Sequence, residues 1–205
     1  MKQIAVDIVL LPEQKVSNWA IAANHTLVQQ GNTEIQLNPQ DCLPHVSLAM
    51  GSMFPDNIPN LGARLTSTWQ QHQVNVLDSL GIAVTKNSRG GFTSSLAIHL
   101  TPALQHLHEQ ILHISAHHLQ YDRIEADMFR GDGSIDDAAI QWVASYPEKS
   151  GFDNFQPHIT LGFGVLETNQ LPKTFSPSAL ALCHLGNHCT CRKILWLLDI
   201  TPEDH

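Results

Sequence analysis

Two histidines of this chain each precede a hydroxyl residue by two positions, inside two closely similar segments of eight residues. Residues 44–51 read PHVSLAMG and residues 157–164 read PHITLGFG, which pairs His45 with Ser47 and His158 with Thr160. Two imidazoles can share general acid and general base catalysis at neutral pH, where histidine changes its charge. Two hydroxyls can donate hydrogen bonds to the oxygens of a phosphate. Chemistry of this kind needs no metal.

Both segments have the composition of β-strands, because β-branched and large apolar residues lie between Pro and Gly. Alternate side chains of a strand point to the same face, so His45 and Ser47 share one face, as do His158 and Thr160. The apolar residues between them point to the other face and should join a core. Small residues follow on the histidine face in both segments. We therefore expect a duplicated unit with both histidines beside one cleft.

The paired strands, as a variant of the HxTx motif, resemble the 2H phosphoesterase superfamily, which includes 2′-5′ RNA ligase-like proteins and cyclic nucleotide phosphodiesterases. The positions of both motifs along the chain are also similar to those of the family, and Ser47 stands where many members carry Thr. The resemblance implies a bilobal α+β fold, in which two antiparallel sheets line a central groove and helices pack outside. We expect one domain over residues 1–205, with repeat halves of about residues 1–86 and 92–205.

The resemblance also implies a hydrolase that opens a 2′,3′-cyclic phosphate, or a related cyclic phosphodiester, on a nucleotide or RNA end without metal or cofactor. His45 and His158 would be the acid/base pair, with His158 as the base and His45 as the acid, and Ser47 and Thr160 would bind the phosphate. The same four residues could instead serve a 2′-5′ RNA ligase or a 3′-end exonuclease in RNA processing. A non-catalytic module that binds nucleotide or RNA is a further alternative.

The charge of the chain bears on its substrate. The formal net charge is −8, with eleven Lys and Arg among 205 residues. Proteins that hold duplex DNA or long RNA depend on many phosphate contacts, so a small nucleotide or an oligonucleotide end is the better expectation. Candidates for a local basic groove are Arg64, Lys86, Arg89, Arg123, Arg130 and Arg192. Among these, Arg192 is our candidate for a phosphate contact, and Phe155 is the candidate for stacking on a base.

The apolar run at residues 4–11 is too short to span a membrane and contains Asp7. It predicts a buried strand, and we expect a cytoplasmic protein. The four cysteines do not have the spacing of a secreted disulfide framework, which predicts free thiols. The sequence does not indicate an oligomeric state.

Periodicity predicts strand, helix and motif strand in each half. The first helix should cover residues 13–30 and the second residues 61–72, followed by a strand or pair of strands over residues 74–85 that breaks near Gly81. The second half should contain a strand at residues 92–101, helices at 102–119 and 136–145, and closing strands at 179–185 and 194–200. The four tryptophans lie in periodic segments and are expected in the core.

Two other clusters could bind a metal. His113 and His117 are four residues apart on a predicted helix, without the Glu of a metalloprotease motif between them. Cys183, Cys189 and Cys191 lie near two histidines, but their spacing differs from that of common zinc knuckles. We therefore expect neither cluster to be a metal site. The sequence Arg89-Gly90-Gly91 matches no phosphate-binding fingerprint and is expected to be a connector.

Overall fold

In the part of the chain that the structure describes, segments rich in β-branched and apolar residues form eight strands that join into one antiparallel sheet. The computed structural model describes residues 2–87, 89–131, 133–168 and 170–200. The strands are β1 (Ile4–Pro12), β2 (Val46–Met53), β3 (Leu77–Lys86), β4 (Phe92–Ile98), β5 (His158–Phe163), β6 (Thr174–Phe175), β7 (Pro177–Leu185) and β8 (Cys191–Asp199). Their order across the sheet is β6-β3-β4-β5-β2-β1-β7-β8.

α-Helices pack against these strands. They are α1 (Gln14–Gln29), α2 (Ile58–Gln71), α3 (Pro102–Ser115), α4 (Asp137–Ala144) and α5 (Tyr146–Ser150). At the start of α3, the Thr101 hydroxyl accepts a hydrogen bond from the Leu104 amide, and Pro102 occupies a position where its missing amide proton costs nothing. Asp136 caps α4 in the same way, through the amide of Ala138.

The predicted α+β class is confirmed, but the sheet differs from the prediction. We expected two sheets, whereas the structure has one, because the two motif strands pair with each other. Val46 of β2 and Ile159 of β5 form this pair, and it is the one register pair between these strands. β1 and β2, in contrast, pair at every residue of β1 from Ile4 to Leu10, with one bulge between Ile8 and Val9. The sheet therefore consists of two four-stranded parts joined at the two motifs.

Each part of the sheet contains strands from both of the predicted sequence halves. One part contains β1, β2, β7 and β8, and the other contains β3, β4, β5 and β6. The expected junction lies between β3 and β4, where the Asn87 amide donates to the Gly91 carbonyl. The expected break near Gly81 is a bulge within one continuous strand, where Gly81 has a φ of +119°.

The two faces of β1 have different surroundings. Ile8 and Leu10 are fully buried in the main core, which includes residues of all the longer helices. Val9 lies on the opposite face in a second apolar cluster with Ala181, Cys183 and Cys191. Asp7 shares the face of Val9, and its side chain is also completely buried. A buried acid in an apolar strand indicates a specific role for that face.

α4 and α5 both pack against β2 and contribute residues to the cavity described below. This differs from the predicted arrangement with helices outside the groove. Among the residues that the structure describes, no helix is long and apolar enough to cross a membrane.

Candidate functional site

The side chains of both motifs line one cavity at the join between the two parts of the sheet. His45, Ser47, His158 and Thr160 all contribute to its wall. Its volume is about 380 Å³, within the range of small-molecule sites. The other lining residues are Ile35, Leu37, Leu43, Met50, Thr85, Asn87, Thr93, Ala138, Ala139, Trp142, Tyr146, Ser150, Phe155, Gln156, Phe163, His188, Cys189 and Thr190. Most of the exposed surface of the wall is apolar, although about half of the lining residues carry polar side chains.

The two histidines are held in the same way. His45 Nδ1 lies 2.7 Å from the carbonyl oxygen of Leu43, and His158 Nδ1 lies 2.8 Å from that of Gln156. A carbonyl can only accept a hydrogen bond, so Nδ1 carries the proton in both rings. Each Nε2 is thereby left as the nitrogen that can exchange a proton with a ligand.

The register of the join gives this similarity a geometric origin. Val46 and Ile159 are the one register pair between β2 and β5, and each directly follows the histidine of its own motif. Both imidazoles therefore lie at the same position relative to the join, one residue before the paired residue of their strand.

The two imidazoles differ in their exposure to solvent. The side chain of His45 is only 13% exposed, whereas His158 is exposed to solvent. The pKa of His45 is lowered to about 4, mainly because the ring is buried. The hydrogen bond to the Leu43 carbonyl opposes this change in part, and the charge of His158 contributes to it. His45 is therefore neutral at pH 7, with the Nε2 lone pair available.

A buried carboxyl group lies beneath His45. Asp7 Oδ2 accepts a hydrogen bond of 2.7 Å from Ser47 Oγ and lies 3.6 Å from His45 Nε2. Its other oxygen, Oδ1, is buried without a hydrogen-bond partner. Burial raises the pKa of Asp7 well above its usual value, and the Ser47 hydrogen bond opposes this only in part. Ser47 thus contacts Asp7 in this structure, although it also lines the cavity.

A third histidine supports the loop that enters the second motif. His108 is buried, and its Nδ1 lies 2.8 Å from the carbonyl oxygen of Leu48. Its Nε2 accepts a hydrogen bond of 3.0 Å from the Phe152 amide. Phe155 stacks on this ring, with centroids 3.8 Å apart. Phe155, our candidate for base stacking, lines the cavity but is 3% exposed and has one face covered by His108. His108 therefore links β2 to the loop before β5.

The predicted basic groove is not part of the cavity wall. Among the described residues, the lining contains no Lys or Arg. Arg89 lies 5.7 Å from the ring centre of Phe163, which does line the cavity, and Arg89 also lies 3.5 Å from Glu34. Arg192, our candidate for a phosphate contact, is not brought to the cavity and instead donates a hydrogen bond to the Asp41 carbonyl.

The structure groups possible metal ligands differently from the sequence. Within the described ranges, one group of three suitable side chains occurs, and it consists of Asp7, His45 and Cys191. The His113/His117 pair belongs to no such group, and of the cysteine cluster only Cys191 takes part. All four cysteines are free thiols.

Sequence reasoning missed two residues of this site. Asp7 was visible as an acid within an apolar strand, but its contacts with Ser47 and His45 join positions about 40 residues apart and depend on strand pairing. Trp142 was assigned to the core from helical spacing. It is instead 37% exposed on α4 and lines the cavity.

Comparison with known proteins returns only solved structures. No protein-family model and no curated protein matches the chain. Similar solved structures include a phosphoesterase, with 12% identity and a TM-score of 0.46, covering 98% of this chain and 99% of that one. Escherichia coli LigT in its apo form has 12% identity and a TM-score of 0.48, and its complex with 3′-AMP has 11% and 0.43, with the same coverage.

Proposed function

We propose that this chain is a phosphodiesterase that hydrolyses a 2′,3′-cyclic phosphate, on a mononucleotide or on the end of a short RNA, by acid/base catalysis with two histidines. The observation that carries the proposal is the presence of both imidazoles and both hydroxyls in the wall of one cavity. The Thr160 hydroxyl can donate to a phosphoryl oxygen as negative charge develops on it, and the Ser47 hydroxyl can do so when it exchanges its hydrogen bond to Asp7 for one to the phosphate.

The different exposure of the two histidines supports a division of their roles. His45 is neutral at pH 7 because burial lowers its pKa to about 4, so its Nε2 can accept a proton from the attacking water. His158 is exposed, so protons can pass between its ring and solvent. We therefore propose His45 as the base and His158 as the acid, the reverse of the roles implied by the family resemblance.

Each turnover consumes one water molecule. The bond between the water oxygen and phosphorus forms as His45 takes the water proton, and the bond from phosphorus to the ribose oxygen breaks as His158 donates its proton. The product is a phosphate monoester with a free ribose hydroxyl. Proton exchange with solvent then restores both rings.

The cavity wall favours a small substrate. A longer RNA carries additional phosphates, and the described lining offers no Lys or Arg to bind them. An apolar wall and the partly exposed indole of Trp142 suit a single nucleobase. These features favour the hydrolysis of cyclic mononucleotides over ligation of 2′-5′ linkages or trimming of RNA 3′ ends.

Incubation with 2′,3′-cyclic AMP, followed by chromatography of the products, tests the proposal. We expect turnover in the presence of EDTA and a loss of about 10²- to 10⁴-fold in kcat for His45→Gln and for His158→Gln. His99→Gln is the matched control, because His99 is exposed and does not line the cavity.

Two results would contradict the proposal. One is unchanged turnover in either cavity variant. The other is binding of the nucleotide without turnover by the wild-type protein, which would instead indicate a non-catalytic binding module. Cyclic-phosphate oligonucleotides and 2′-5′-linked dinucleotides, tested in parallel, distinguish the proposed substrate from those of a ligase or exonuclease.

A further inference from the structure

Three side chains with different ligand chemistry meet beneath the cavity. Asp7, His45 and Cys191 each place one ligand atom within 4.8 Å of the other two. Asp7 and Cys191 are completely buried, and His45 reaches from them to the cavity wall. This combination of oxygen, nitrogen and sulfur ligands is typical of zinc, whereas Mg²⁺ and Ca²⁺ prefer oxygen alone.

The unpartnered oxygen of Asp7 is an independent indication that a ligand belongs here. Asp7 Oδ1 is buried and makes no hydrogen bond. A buried polar atom without a partner is costly and uncommon in folded proteins. A cation bound through both oxygens of the carboxylate would provide the missing interaction of Oδ1.

The geometry is close to that of a zinc site. With zinc–ligand bonds of about 2.0–2.3 Å, the ligand atoms of a tetrahedral site lie roughly 3.3–3.7 Å apart. The distance from His45 Nε2 to Asp7 Oδ2 is 3.6 Å. The sulfur lies within 4.8 Å of the other two ligand atoms, so it must approach them by at most about 1.3 Å to reach this spacing.

The surrounding hydrogen bonds also suit a metal site. His45 Nδ1 donates to the Leu43 carbonyl, and Asp7 Oδ2 accepts from the Ser47 hydroxyl. Outer contacts of this kind commonly orient zinc ligands. One carboxylate and one thiolate would balance the two positive charges of the ion, so the buried site would be neutral.

We propose that Asp7, His45 and Cys191 bind one Zn²⁺ ion, and that this ion inhibits the phosphodiesterase. The inhibitory role rests on the proposed function, because it follows from the proposed use of His45 Nε2 as the base. That nitrogen cannot bind zinc and accept a proton at the same time. Zinc can reach the site through the cavity, because His45 forms part of its wall.

Cobalt provides a test of binding that does not depend on activity. Co²⁺ occupies zinc sites, and a cobalt–thiolate bond gives a charge-transfer absorption in the near ultraviolet. We expect titration of the metal-free protein with Co²⁺ to produce this band at one ion per chain, and one equivalent of Zn²⁺ to remove it. Exposed histidines can also bind cobalt, but without a thiolate they cannot give the band.

Two cysteine variants identify the sulfur ligand. Cys191→Ser removes the proposed ligand, whereas Cys183→Ser makes the same change at an equally buried neighbour that lies outside the group. We expect Cys191→Ser to lose the cobalt band and to bind zinc at least about 100-fold more weakly, since even outer-shell changes cost 10- to 100-fold. Cys183→Ser should retain both. Cys191→Ala replaces the serine variant if the latter does not fold.

The activity measurement tests the inhibitory role. Zinc should abolish hydrolysis of 2′,3′-cyclic AMP at one ion per chain, and EDTA should restore it. Each variant is compared with its own rate without zinc. The proposal would be overturned if the wild-type protein gave no cobalt band, or if Cys191→Ser kept the band. It would also be overturned if both cysteine variants lost the band, or if the protein remained fully active with zinc bound. If the metal-free protein has no activity but the cobalt results are as expected, the proposed function fails while the metal site stands.

Discussion

Replacement of His108 by Gln should make the protein less sensitive to acid. The imidazole of His108 is fully buried, with Nδ1 donating to the Leu48 carbonyl and Nε2 accepting from the Phe152 amide. A second ring proton would point at the Phe152 amide hydrogen. Burial is the largest cause that lowers the pKa of His108, to about 4, while the Leu48 carbonyl and the charge of Glu109 oppose it.

The pKa of His108 gives both the sign and the size of the effect. The unfolded chain takes up a proton at His108 as the pH falls through 6.5, but the folded protein does so only near 4. Between these values the unfolded state binds more protons, so the free energy of unfolding decreases as the pH falls. The difference between the two pKa values corresponds to at most about 3 kcal/mol over this pH range.

Urea denaturation at a series of pH values, followed by tryptophan fluorescence, measures this effect. His108→Gln should be less stable than the wild type at pH 7, because it loses the stacking on Phe155. Its disadvantage should decrease by about 2–3 kcal/mol as the pH is lowered from 7 to about 4.5. His106→Gln, an exposed position on the same helix, is the control and should show no such change. A stability difference between His108→Gln and wild type that does not vary with pH would refute the reasoning.

Three further predictions concern the site and its support. Burial raises the pKa of Asp7, so the free energy of unfolding of Asp7→Asn should rise relative to that of the wild type as the pH rises, by up to about 1.4 kcal/mol per pH unit. Urea denaturation at several pH values measures this difference, and a difference that does not change with pH would contradict the prediction. Asn24 makes buried hydrogen bonds to two carbonyls and one amide, so Asn24→Ala should lower the free energy of unfolding by about 2–4 kcal/mol, with the exposed Asn18→Ala of the same helix as the control. Trp142→Ala should raise KM for 2′,3′-cyclic AMP about tenfold with little change in kcat, if stacking contributes 1–3 kcal/mol; a fall in kcat alone would exclude that role.

The sequence predicts local structure well where side-chain periodicity is strong. The helix expected at residues 136–145 is α4 (Asp137–Ala144), and the one expected at residues 13–30 is α1 (Gln14–Gln29). Both motif segments are strands, and the structure places the four motif side chains in one cavity. Alternation along a strand is a local property, so it can be read from the residues alone.

Features that depend on pairing between distant strands could not be predicted. The sheet is continuous because β2 pairs with β5, and nothing within either strand specifies its neighbour. The contact of Asp7 with Ser47 likewise depends on the pairing of β1 with β2. Phe155 and Arg192 were chosen for their chemistry, but stacking on His108 and the bond to Asp41 decide their positions.

The narrow connection between β2 and β5 has a consequence for the tolerance of this chain to insertions and deletions. One residue added to either strand at the join would shift the pairing of Val46 with Ile159, and a one-residue slip reverses the face to which a strand's side chains point. Loops elsewhere can change length without moving the two imidazoles relative to each other. Length variation should therefore be tolerated at the hairpin turns and excluded from the short stretches on either side of this pair.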